Sequence, residues 1–153
     1  MSQAKDTRYV FDGVPIEPVP EGTNLLVTGP SLGGLRQLLM RLLSGSAEEG
    51  SLIVTADVSA NEAVADFEAV AGTVDPSRTC LIDCAQESDG GESDRIHGVA
   101  TPGDLTGIGM AFSTLYEQLY ASGITRVRTG LYTLGPLLVY ADDVRPVYRF
   151  LHT

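Results

Sequence analysis

Residues Leu25–Leu39 read LLVTGPSLGGLRQLL. An apolar run of strand character enters a Gly-rich turn, and an apolar run at helical spacing leaves it. That order is the layout of a phosphate-binding loop, in which backbone amides and a helix N-terminus face an anion. A working loop reads GxxxxGK[ST]; its Lys reaches the outer phosphates and its hydroxyl holds magnesium. Gly29 and Gly34 have the required spacing, but Leu35 stands where the Lys belongs and Arg36 where the hydroxyl belongs. An amide cradle is a backbone feature and can outlive such changes. Gly29, Pro30, Ser31, Leu32, Gly33, Gly34, Leu35 and Arg36 are therefore the candidate nucleotide-binding residues of a degenerate loop. The missing charged hydrogen bond is worth about 1.5–3 kcal/mol, so ATP is expected to bind weakly if at all. Arg36 lies one residue further round the turn and is expected to point away as a surface cation.

The same letters hold a second pattern. Gly29-Pro30-Ser31-Leu32-Gly33 fits GxSxG, the nucleophile elbow of serine hydrolases, with Ser31 as nucleophile and Asp83 and His97 or His152 as partners. Too few residues precede it for the several strands that normally lead to such an elbow, so the hydrolase stands as the enzyme alternative.

Outward from the loop, Asn24–Thr28 reads as a short buried strand. Leu35, Leu38, Leu39, Leu42 and Leu43 fall on one helix face, and Ser44-Gly45 ends that helix. Ser51–Ala56, Thr79–Cys84 and Arg126–Tyr132 read as further strands. Ser59 and Glu62 form a capping-box pair ahead of a helix facing inward through Val64, Phe67 and Val70. Asp104 caps a longer helix carrying Leu105, Ile108, Phe112, Leu115 and Leu119, which Gly123 ends. Pro136 starts a helix to about Tyr140, and Val144–Leu151 is another. Residues 85–103 read as irregular. Strands apolar on both faces and alternating with helices predict an α/β three-layer sandwich with a mostly parallel central sheet. Residues 1–18 form an extended lead-in, and residues 19–153 form the single domain.

The 153 residues carry a net charge of −10, and their ten basic residues are nine Arg and the lone Lys5. Dispersed carboxylates with almost no Lys suit a very salty cytoplasm, where net charge maintains solubility. Such a surface repels phosphate backbones, so nucleic acid is not an expected partner. No apolar run is long enough to cross a membrane, and the N-terminus has no apolar signal core, so a cytoplasmic protein is expected. Cys80 and Cys84 have no ligand pattern around them; buried free thiols are expected, and no metal site.

The chain as a whole resembles RecA/KaiC-like P-loop ATPase domains, in a haloarchaeal branch of poorly defined function. The resemblance runs from about Val19 to Thr153 through GPSLGGLR, GSLIVTADVSANE, VDPSRTCLIDC, TPGDLTGIGMAFSTLYEQL and TRVRTGLYTLGPLLVY, with PGDLTGIGM its most specific part. It implies three site positions. The loop Lys is Leu35. The water-activating carboxylate is Asp57, one methylene shorter than the usual Glu. The magnesium-ordering Asp at the end of the RVRTGLYT strand is Gly130; Asp83 is the other carboxylate at a strand end. Without Lys, hydroxyl and Asp, most of the charge stabilisation for phosphoryl transfer is gone. The resemblance thus implies no catalytic residues, with Asp57, Asp83 and Ser31 the remaining candidates. It implies a regulatory or signalling module that binds a protein partner or itself, and a chain shortened at its C-terminus.

Four smaller readings complete the sequence. Asp89, Glu92 and Asp94 imitate a calcium loop but are expected to be solvated. Tyr116, Tyr120, Tyr132, Tyr140 and Tyr148 are expected to be half-buried around the core, a partner surface being the alternative. Gly107 and Gly109, costly inside a helix, suggest close backbone packing against the sheet or another subunit. His97 and His152 read as ordinary loop and terminal residues.

Overall fold

Residues 7–85 and 95–152 are described by a computed structural model. The strands are β1 (Gly50–Thr55), β2 (Thr79–Asp83), β3 (Ile96–Gly98) and β4 (Val127–Leu131). The helices are α1 (Leu35–Leu43), α2 (Ala60–Ala71), α3 (Leu105–Ala121), α4 (Gly135–Tyr140) and α5 (Val144–Leu151). The strands form one parallel sheet in the order β3-β2-β1-β4.

β1 and β2 are buried along their whole length, as parallel strands between helix layers must be. Ile53 and Leu81 point to one face, where Met40 and Leu43 of α1 and Ala63 and Phe67 of α2 pack on them. Leu52, Val54, Cys80 and Ile82 point to the other and meet Ile108, Leu115 and Leu119 of α3, Leu137 of α4 and Val147 of α5. The expected layering of helices about a parallel sheet is therefore present. The caps also form: Ser59 and Glu62 close the capping box of α2, and the Asp104 carboxylate accepts from the Gly107 amide at 2.8 Å. Both cysteines are buried free thiols.

Several expectations need correction. Asn24–Thr28 is not a strand; it makes no ladder bond to the sheet, and Leu26 is 78% exposed. Its five residues are flanked by the turn-forming Pro20–Gly22 and Gly29–Gly34, so an edge pairing would gain few ladder bonds. Conversely, β3 lies inside the stretch read as irregular. Gly107 does not mark close packing on the sheet: a Cβ there would lie 2.3 Å from Asp104 Oδ2, so the glycine makes room for its own helix cap. Nothing lies within 4 Å of a Cβ at Gly109. Of the five tyrosines only Tyr132 is buried; Tyr116, Tyr120, Tyr140 and Tyr148 are exposed.

The N-terminal segment is fastened to the sheet. Tyr9 and Val19 form an antiparallel bridge, and Phe11 is buried. Arg126 donates to the carbonyls of Thr7 and Arg8, and Arg128 to that of Val10 at 2.7 Å. Arg128 also pairs with Glu49 at 2.6 Å and donates to the Leu42 carbonyl at the end of α1. One buried guanidinium thus ties the segment, α1 and β4 together.

Candidate functional site

From β1 the chain steps outward through β2 to β3, whereas β4 lies on the other side of β1. The direction of winding reverses between β1 and β4. In an open parallel sheet, ligands bind beyond the strand C-termini at such a reversal. Four side chains meet there: Asp57 just after β1, Tyr132 just after β4, Arg36 in the first turn of α1, and Asp66 on α2.

Arg36 Nη2 lies 3.4 Å from Asp57 Oδ2, and its guanidinium sits 5.1 Å from the centre of the Tyr132 ring. Arg36 is an exposed surface cation as expected, but it turns over the crevice rather than away from it. The helix turn carries it back over the crevice, where a carboxylate and an aromatic face attract it. The Tyr132 hydroxyl donates to the Asp66 carboxylate. Burial, then that hydrogen bond and the charge of Asp66, push the phenol's ionisation well above its usual range, so it remains a neutral donor. The neighbouring Thr133 hydroxyl is buried with no hydrogen-bond partner among the described residues.

The Gly-rich turn lies beside this cluster in a closed form. Gly33 N–H donates to the Pro30 carbonyl at 2.8 Å, which withdraws one amide from any cradle. Leu35 folds back on the turn: its Cδ2 would be 3.0 Å from a Cβ at Gly29. An apolar side chain thus lies against the turn where a cation would be needed. Gly34 has φ 78°, a left-handed conformation suited to glycine, and gives α1 no side-chain cap. Ser31 and Leu32 are exposed.

The remaining candidates have structural partners. Asp83 is buried; one oxygen accepts from Ala60 N–H and the other from Ala85 N–H, each at 2.9 Å. It caps α2 from the sheet. Gly130 is covered by Leu43, whose Cδ1 would be 2.5 Å from a Cβ at that position, so no carboxylate fits there.

Among the described residues no hydrogen bond joins Ser31 to Asp83, His97 or His152. His97 is on β3, three strand spacings (about 14 Å) from β4. His152 stacks on Tyr148 with its Nδ1 2.8 Å from the Tyr148 carbonyl, and Asp83 has both oxygens engaged. Asp89, Glu92 and Asp94 lie outside the described residues. Among the described residues no three His, Cys, Asp or Glu side chains come together as metal ligands do. No helix among them is long and apolar enough to cross a membrane.

Sequence reasoning found Asp57 and the loop but missed Tyr132 and Asp66. Tyr132 had a usable signal, since it follows a strand just as Asp57 does. Asp66 had none, because its partner is 66 residues away.

Residues 22–153 match a family of unknown function, DUF7504. The chain belongs to that family. The match takes in the Gly-rich turn and every strand and helix described above, and starts after the segment that Arg126 and Arg128 hold. No curated protein and no solved structure matches the chain.

Proposed function

We propose that this member of the DUF7504 family is a non-hydrolysing RecA/KaiC-like domain that works in regulation by associating with protein, a second copy of itself being the partner. One observation carries the reading: large apolar side chains gather on the outside of α4 and α5. Val139, Tyr140, Val144 and Tyr148 are each more than 60% exposed, and Leu138 is 40% exposed. A cluster of that kind is a mark of an interaction surface. Arg145 and Arg149 flank Tyr148 there, on a chain whose net charge is −10. Arg145 pairs with Asp143 at 3.8 Å, so the patch is chiefly apolar and aromatic, a surface that can pack on the same surface of another copy.

The loop supports the absence of hydrolysis. Leu35 lies against the glycine turn, Arg36 is engaged by Asp57, and Leu43 fills the place of the magnesium-ordering acid. Light scattering in molar KCl tests the association, with Val139→Glu and Tyr148→Glu as probes. A dimer or larger assembly that either variant dissociates supports the proposal; a wild-type monomer at every concentration removes it.

One observation favours the weaker reading, a phosphate-ligand binder. α1 has no side-chain N-cap, so the amides of its first turn are not capped from within. Thermal unfolding with and without ATP and magnesium decides it, because ligand at 100 times its dissociation constant adds about 2.7 kcal/mol.

A further inference from the structure

The exposed large apolar side chains on the helices all lie on one face of the sheet. Among the described residues α1 and α2 carry none, whereas Met110, Tyr116 and Tyr120 of α3 join those of α4 and α5. α5 lies against both α3 and α4, so the three helices form one layer. α3 is also poor in charge. Its 17 residues hold a single charged side chain, Glu117, on a chain whose net charge is −10. Two copies of so acidic a protein repel each other over most of their surfaces, and α3 offers a face where few carboxylates are brought together.

Gly109 lies inside that helix, where glycine is weaker than alanine. Nothing lies within 4 Å of a Cβ there, so neither the sheet nor a neighbouring helix requires the glycine. Ser113, one turn on, is exposed, and its hydroxyl donates to the Gly109 carbonyl at 3.1 Å. That polar group is satisfied within the helix and can be covered without losing a hydrogen bond. Small side chains at such a contact let a second helix come close.

The face matches itself about Ser113. Thr106 and Tyr120 lie seven residues to either side of it, and Gly109 and Glu117 four residues to either side. In an antiparallel pair with its two-fold axis at Ser113, positions equally far from the axis meet. Thr106 then faces Tyr120 of the other copy, and Tyr116 of the other copy lies over the open Gly109. Gly109, Ser113 and Tyr116 border an open cavity of about 880 Å³ beside β4, which leaves room for that ring. The same axis sets α5 against α5.

We infer that a second copy seats on the whole α3–α5 layer, with α3 crossing its counterpart antiparallel at Ser113. This geometry rests on the self-association proposed above. α3 is about 25 Å long and a helix about 10–12 Å across, so its face alone offers about 250–300 Å². A stable interface takes about 800 Å² from each partner, and the α4/α5 patch beside α3 has to supply the remainder.

At an interaxial distance of about 8–10 Å, two Ser113 Cα atoms each about 2.3 Å from their helix axes come within reach of a disulfide. Diamide oxidation of Ser113→Cys in the full chain, in molar KCl, therefore tests the crossing on a non-reducing gel. The native Cys80 and Cys84 are buried and do not compete. Gln118→Cys, exposed on the same helix but turned away from the contact, is the control. Ser113→Cys is expected to form a covalent dimer at least tenfold faster than the control. Gly109→Leu, which has open space in the single copy, is expected to weaken association at least tenfold in light scattering. Equal cross-linking of the two cysteine variants, or association that Gly109→Leu leaves unchanged, overturns the α3 crossing while the α4/α5 association stands. A wild type that stays monomeric at every concentration overturns both.

Discussion

Gly130 is where the structure makes its sharpest prediction, because a single methyl group should be felt. A Cβ there would lie 2.5 Å from Leu43 Cδ1, 2.9 Å from Cδ2 and 3.1 Å from Cγ. Carbon atoms in contact prefer about 3.5–4.0 Å, so Gly130→Ala forces Leu43, or α1 with it, to retreat by about 1 Å. Leu43 is 3% exposed and lies in the cluster that joins α1 to α2 and the sheet. Leu43 also lines the cavity of about 880 Å³ beside β4, which can take up part of that retreat, so the loss falls towards the low end of what overpacking costs. Overpacking of this kind costs about 1–3 kcal/mol, against which the stiffer unfolded chain returns about 0.4–1 kcal/mol. A net loss of about 1–2 kcal/mol in a chain of this size lowers Tm by about 2–8 °C. Thermal unfolding followed by circular dichroism in molar KCl reads it. The companion variant is Leu43→Ala, which alone should cost about 2–5 kcal/mol for the cavity it leaves. Combined, the two should cost less than their sum by about 0.5–3 kcal/mol, since the methyl enters the vacated space. A Gly130→Ala Tm at or above wild type, or strictly additive losses, would refute the packing argument.

Three other expectations concern buried groups. Arg128 and Glu49 side chains are 6% and 8% exposed, so Arg128→Met should leave the buried Glu49 carboxylate with Arg126 alone, 3.7 Å away, and cost up to about 3–5 kcal/mol. The same variant should speed proteolytic cutting within Thr7–Val19, which loses its tether at Val10. Of the six tyrosines, Tyr132 should ionise last in an ultraviolet titration. Its folded value lies above that of a free phenol, so the stability it lends is complete below the free phenol's range and falls as pH rises through and beyond it; Tyr132→Phe should remove this alkaline loss. Burial, with smaller effects from Asp83 and Asp104, pushes the Cys84 thiol up to about 12, and burial also raises Cys80. A thiol reagent at neutral pH should label neither in the native protein and both in denaturant.

What could be read from the letters was local. The Ser59–Glu62 box, the Asp104 cap and the Val144–Leu151 helix depend on residues within a turn of each other, and each forms where expected. Asn24–Thr28 has strand-like letters, yet a strand needs a neighbour, and no strand of the sheet pairs with it. Propensity alone cannot supply that pairing. β3 fails in the opposite sense: three residues are too few to show alternation, and the parallel edge of β2 recruits them. Arg36 shows the same limit at the site. Its position on the helical turn suggested solvent, but Asp57 and Tyr132 are 21 and 96 positions away and become its neighbours only when the sheet forms.

The residues at which this loop differs from a working phosphate loop are also the ones that hold α1 in place. Leu35 packs on Gly29, Leu43 covers Gly130, and Arg36 spans Asp57 and Tyr132. The helix is fixed by these three contacts in addition to Ser51, whose hydroxyl donates to the Leu43 carbonyl at 2.9 Å. Replacing Leu35 by Lys would provide a cation but remove the contact with Gly29, and an acid at 130 would collide with Leu43. Each step towards phosphate chemistry therefore costs packing before any binding is gained.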